Sequence, residues 1–151
     1  MNYVFSGKKH GQLSKPTFNI VETTIKNDEY TMWVYNDSVN FRSIDTLIQY
    51  KGGKIVFNGI EVEKVDTKSI KNKNKRITVT KIYVPKIRNI SVDNYAGKII
   101  YLSNNGIIAR YGIISNYISL YKPDEYKELK DKILNRKMNF KRNKNELEGL
   151  P

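Results

Sequence analysis

At 151 residues, with 39% hydrophobic and 11% aromatic side chains, the chain has enough apolar surface for one core of ordinary domain size. It contains no cysteine, which excludes disulfides, cysteine-based zinc sites and thiol nucleophiles. Its formal charge of +12, from 27 Lys and Arg against 15 Asp and Glu, speaks to partners rather than to fold.

Most of the sequence alternates apolar and polar residues with period two, broken by Asn, Asp and Gly, which is a strand-and-turn pattern. The first strands are expected at Thr17 to Ile25 and Glu29 to Tyr35. The second holds the sole tryptophan, Trp33, in Tyr30-Thr31-Met32-Trp33-Val34-Tyr35, which is apolar on both faces. Such a run is either a central strand or a patch that meets a partner, and Trp33 is the candidate partner-binding residue. Ser43 to Tyr50 fits two forms. Ile44, Leu47 and Ile48 have helical spacing between a Ser43 cap and a Gly52-Gly53 stop, yet the stretch also reads as a strand.

Lys54 to Val65 is the clearest element. Asn58-Gly59 suits a tight hairpin turn with positive φ at both central positions, so Phe57 faces Ile60 and Ile55 faces Val62. All four apolar side chains then share one face, and Lys54 lies across from Glu63. Further strands are expected at Arg76 to Val84, Ile87 to Val92, Lys98 to Ser103, Ile107 to Ile113 and Asn116 to Tyr121, with a second hairpin at Asn104-Asn105-Gly106.

The chain then turns helical over about 123–138. Pro123 presets the first helical φ, Asp124 and Glu125 oppose the positive dipole end, and Arg136 and Lys137 suit the other. Tyr126, Leu129 and Ile133 make the buried stripe, widened by Leu134. The expected fold is mainly β, a β-rich α+β domain. It is an antiparallel sheet or partly open barrel of about 7–9 strands over 1–138, closed by one C-terminal amphipathic helix. Residues 139–151 read as a polar, mobile tail.

The charge is unevenly spread. Residues 1–63 are balanced, 64–88 hold nine basic residues against Asp66 alone, and 122–144 hold nine against four. With 21 Lys to 6 Arg, a lysine-rich coding bias competes with a functional surface as the explanation. Lys64, Lys68, Lys71, Lys73, Lys75 and Arg76 surround an Asn-rich loop, read as Asp66 to Lys75, that can track phosphates. Mostly lysine, it positions rather than reads bases. Lys137, Lys141, Arg142 and Lys144, with Lys127 and Lys130, form a second patch on the helix and tail. Tyr83, Tyr95, Tyr101, Tyr111, Tyr117 and Tyr121 either stack on unpaired bases or fill a β core.

Catalysis is hard to assemble from these residues. The only histidine, His10, lies in a Gly-flanked loop that lacks P-loop spacing, and no cofactor or metal signature is present. The nearest enzyme is a metal-dependent nuclease using Asp45 with Asp66-Thr67-Lys68, a pairing that arises readily by chance. No stretch approaches the ~20 apolar residues of a membrane span, and MNYVFSGKKHGQ lacks the apolar core of a signal peptide, so the expected location is cytoplasmic.

From Lys54 onward, seven expected strands run into one helix, an order that resembles the bacterial pleckstrin-homology-like fold. The segment Tyr111-Gly112-Ile113-Ile114-Ser115-Asn116-Tyr117-Ile118-Ser119-Leu120-Tyr121-Lys122-Pro123-Asp124-Glu125-Tyr126 looks like that family's last strand entering its capping helix. The resemblance covers under half the chain and transfers no functional residue. It implies a rigid scaffold for protein or lipid-headgroup contacts, with residues 1–50 as an added element. The loop Lys68 to Arg76 would then stand where the family's anion-binding loops can stand.

The leading expectation is a non-enzymatic protein that docks onto nucleic acid or a nucleoprotein. By analogy, phages and mobile elements encode small lysine-rich proteins of this kind. A protein-interaction or structural assembly subunit ranks second, a peripheral adaptor on an anionic membrane third, and the nuclease last.

Overall fold

Alternation with period two becomes one antiparallel sheet. The computed structural model describes residues 4–7, 20–37, 43–85, 97–113, 117–121, 125–134 and 138–143. Its strands are β1 (Val4–Gly7), β2 (Ile20–Lys26), β3 (Tyr30–Asp37), β4 (Ser43–Tyr50), β5 (Ile55–Phe57), β6 (Ile60–Asn72), β7 (Lys75–Val84), β8 (Lys98–Ser103), β9 (Gly106–Gly112) and β10 (Tyr117–Leu120). A helix, α1 (Lys127–Leu134), follows. Strands β2 to β10 form a meander in chain order, and β1 closes onto β10 with Val4 opposite Leu120. The mainly β expectation with one C-terminal helix holds, with ten strands among the described residues.

Turn chemistry explains the firmest pairing. Asn58 and Gly59 have φ of 50° and 84°, the positive values a two-residue hairpin turn requires, and Ile55 pairs Val62 and Phe57 pairs Ile60 as expected. The Asn58 side chain adds a tie, its Oδ1 accepting from the Thr46 N–H at 2.7 Å. Ser43–Tyr50 is a strand between β3 and β5, which resolves its double reading. Ile87 to Val92 lies outside the described residues, as do Pro123, Asp124, Arg136 and Lys137 near the helix ends.

Alternate side chains of the strands feed two cores. Inside the curl, Trp33 and Tyr35 of β3, Leu47 of β4 and Phe57 of β5 meet Ile82 of β7, Ile100 and Leu102 of β8 and Ile107 of β9. The sheet therefore curls into a half-barrel, with β3–β5 folded over the inner face of β7–β9. On the outer face, Val79, Tyr83, Ile99, Tyr101 and Ala109 are covered by Tyr126, Leu129 and Ile133 at the helix and by Phe140 beyond it. The helical stripe is thus buried as its spacing predicts.

Trp33 is 2% exposed inside the half-barrel, so it is a core residue of a central strand and not a surface that meets a partner. Residues 139–143, read as the start of a mobile tail, pack against the sheet, whereas 144–151 lie outside the described residues. Aromatic and charged groups hold this segment down: Phe140 stacks on Tyr101 at 5.5 Å, and Lys81, buried on the apolar face of β7, donates from Nζ to the Lys141 carbonyl at 2.9 Å.

Candidate functional site

Strands β6 and β7 form a long hairpin whose distal half carries the basic run. The expected loop from Asp66 to Lys75 is mostly strand; only Lys73 and Asn74 form the turn, and Asn72 pairs with Lys75. Lys73 holds φ at 56°, a left-handed conformation that disfavours residues with a Cβ. In this register Ile70 faces Ile77 and Lys71 faces Arg76. Ile70 and Ile77 pack on the outer core, while Ser69, Lys71, Arg76 and Thr78 lie exposed on the other face.

Arg76 is held in place. Its Nε donates to Ser69 Oγ at 3.0 Å and its Nη2 to the Ser69 carbonyl at 2.9 Å, which ties the guanidinium across to β6. Those bonds use two of its five N–H donors. A cavity of about 270 Å³ brings Lys68, Lys71 and Arg76 together with Lys132 of α1 and the Phe140 ring. At the tip, a larger cleft of about 650 Å³ is walled by Lys73, Lys75 and Arg76, by Asn104 and Asn105 of the β8–β9 turn, and by Tyr126. Asn72 anchors that wall: it is buried, and its Nδ2 donates to the Glu125 carbonyl at 3.0 Å. Its Oδ1 has no partner among the described residues.

Not every expected cation reaches this cluster. Lys68 donates its Nζ to the Asn139 carbonyl and lies 5.7 Å from the Phe140 ring centroid, so much of its charge is directed at the C-terminal segment. Lys64 stands eight residues along β6 from Asn72, about 26 Å at the strand rise, beside the turn at Gly53. Lys141 and Arg142 are exposed on the packed segment near Asp66, toward the base of the hairpin. Lys137 and Lys144 lie outside the described residues.

The aspartates of the nuclease reading each serve a structural partner. Asp66 Oδ2 accepts the Lys141 N–H at 3.0 Å and its Oδ1 the Thr67 N–H at 2.9 Å. The Lys141 amide, with smaller help from Thr67, Lys68 and Lys141 charge, holds this carboxyl below its ordinary range. Glu63, expected opposite Lys54, accepts from Asn143 Nδ2 at 3.2 Å. Asp45 is buried, with Oδ2 3.0 Å from Arg110 Nε and Oδ1 accepting from Asn58 Nδ2 at 3.1 Å. Among the described residues no group of three His, Asp or Glu is placed to hold a metal ion.

Sequence reading missed the polar network around Asp45. Tyr121 donates its hydroxyl to Asp45, accepts from Arg110 Nε at 2.8 Å, and meets the Tyr35 ring edge-on at 4.8 Å. Tyr35 Oη in turn accepts the Ile107 N–H at 2.7 Å. This approach passes over Gly106, where a Cβ would stand 2.4 Å from Tyr35 Oη, and φ of 111° already demands glycine. Tyr83, Tyr101 and Tyr121 are buried and Tyr111 half-buried, so these four serve the core rather than a stacking platform. Comparison with family models, curated proteins and solved structures finds no match.

Proposed function

We propose that the chain is a non-enzymatic protein that docks onto nucleic acid or a nucleoprotein through the distal β6–β7 hairpin and the adjoining face of α1. One observation carries this reading: Lys71 and Arg76 of the hairpin and Lys132 of α1 come from segments far apart in sequence and wall one cavity. Exposed Lys73 and Lys75 extend that positive surface to the tip. These side chains would replace the cations condensed on the phosphates of the polymer, and the release of those ions favours binding. The pleckstrin-homology-like resemblance enters as a scaffold reading, supported by six strands, β5 to β10, running into α1.

The test is a fluorescence-anisotropy titration of labelled nucleic acid at several salt concentrations. With about four phosphates neutralised, affinity falls on the order of a hundredfold between about 50 and 200 mM salt. The triple reversal Lys71→Glu, Lys73→Glu and Lys75→Glu abolishes binding while leaving the thermal transition in place. Affinity indifferent to salt, or unmoved by the reversal, rejects the reading. Capture by anionic vesicles in preference to nucleic acid points instead to the membrane-adaptor alternative. The assembly-subunit alternative has one feature in its favour, exposed Val21 and Ile25 on strand β2. It requires association that survives the triple reversal and fails with Ile25→Lys.

A further inference from the structure

We propose that the distal β6–β7 hairpin is a two-stranded ribbon that enters the major groove of duplex DNA with the face bearing Ser69, Lys71, Arg76 and Thr78. This inference rests on the nucleic-acid reading above and names its substrate as B-form DNA.

The ribbon runs on beyond the paired stretches of its neighbours β5 and β8. Strand β5 stops pairing with β6 at Val62, and β8 begins pairing with β7 at Thr80. Between these limits the five opposed pairs from Lys68 and Val79 to Asn72 and Lys75 have no third strand beside them among the described residues. Paired strands lie about 4.8 Å apart, so the ribbon with its flanking side chains suits a groove about 12 Å wide and not one of about 6 Å. Five pairs at about 3.4 Å span roughly five base-pair steps. The deep, narrow major groove of A-form RNA does not admit such a body.

The chemistry of the two faces agrees with this orientation. Ile70 and Ile77 are turned onto the outer core, so α1 and residues 138–140 lie behind the ribbon, and its polar face is left exposed. That face pairs Ser69 with Thr78 and Lys71 with Arg76 directly across the strands. Two cations opposed in this way weaken a hairpin on its own, and an anionic partner turns the same pair into an attraction. Ser69 holds Arg76 so that the guanidinium keeps donors in a fixed orientation, the condition for a two-point contact with guanine O6 and N7. Lys132, behind and beside the ribbon, is left to contact a phosphate wall.

The experiment compares a mixed-sequence DNA duplex, an RNA duplex of the same sequence and each single strand, and footprints the DNA complex with dimethyl sulfate. That reagent methylates guanine N7 in the major groove and adenine N3 in the minor groove. The DNA duplex is expected to bind about tenfold more tightly than either alternative. Guanine N7 should be protected and adenine N3 left reactive. Arg76→Gln and Ser69→Ala should each lose the N7 protection, and retained thermal transitions guard against misfolding. Equal affinity for RNA or single strands, or protection of adenine N3 instead, overturns the major-groove inference while the anionic-partner reading stands. Failure to bind any nucleic acid overturns both.

Discussion

Asp45 has a relative exposure of 2% and is an acid placed inside a hydrophobic curl. It is tolerable there because Arg110, Tyr121 and Asn58 surround both its oxygens. Arg110→Ala leaves that carboxylate without its counter-ion and is expected to reduce stability by about 3 kcal/mol. That is the low end for breaking a buried pair, since the Arg110 side chain is itself 23% exposed. A urea midpoint no lower than that of a surface substitution would show the pair to be dispensable. Lys73 offers the opposite case. Its left-handed φ stores roughly 1 kcal/mol, which Lys73→Gly recovers while removing a charge from the hairpin tip. Stability should rise and DNA affinity fall in the same variant, a split that no general damage to the fold produces.

The packed segment 138–143 behaves as an element in its own right, strapped over β6–β8 by Asp66, Lys68, Lys81 and Glu63. Asp66 is the acid-sensitive buckle. Its folded pKa lies below the ordinary 3.8, so its contribution is complete above that value and is lost as pH falls through the folded pKa. The Lys141 amide resonance should therefore titrate with a midpoint below 3.8, and Asp66→Asn should speed hydrogen exchange at that amide at neutral pH. Unchanged exchange would show that the strap does not depend on this carboxylate. Elements governed by local chemistry were legible in the sequence. The Asn58-Gly59 hairpin carries its turn, register and apolar face within twelve residues, and the stripe of Tyr126, Leu129 and Ile133 repeats with the helical period. What stayed hidden depends on distant partners. β4 was ambiguous because its inward Asp45 breaks the apolar alternation for the sake of Arg110, and β1 exists by pairing with β10. The site was half legible: the basic run was visible, but not that Lys68 serves Asn139, nor that Trp33 faces inward. Lys81 carries the one sequence signal for the strap, a lysine in line with Ile77, Val79 and Tyr83, where only a buried acceptor makes sense of it.

At the scale of the molecule, three tyrosines set an alkaline limit. Burial pushes Tyr126 up to about 12 and raises Tyr35 and Tyr121 further, each from an ordinary 10.0. Above that ordinary value the unfolded chain binds fewer protons than the folded one, so stability is retained below it and declines as pH climbs past it. Chemical denaturation across this range should show the decline, and Tyr126→Phe should make it shallower. A slope unchanged in that variant would assign the alkaline loss elsewhere.

Among the described residues strand β1 pairs with β10 alone, with Val4 opposite Leu120. During vectorial synthesis the first strand must therefore wait for more than a hundred further residues, on the order of ten seconds at translation speeds of roughly 5–20 residues per second. The meander from β2 onward can assemble hairpin by hairpin as it leaves the ribosome, whereas the opening segment stays unpaired until the far edge of the sheet exists. A nascent chain arrested before residue 117 should accordingly be clipped by protease near its start, and one extended past β10 should resist at the same bonds.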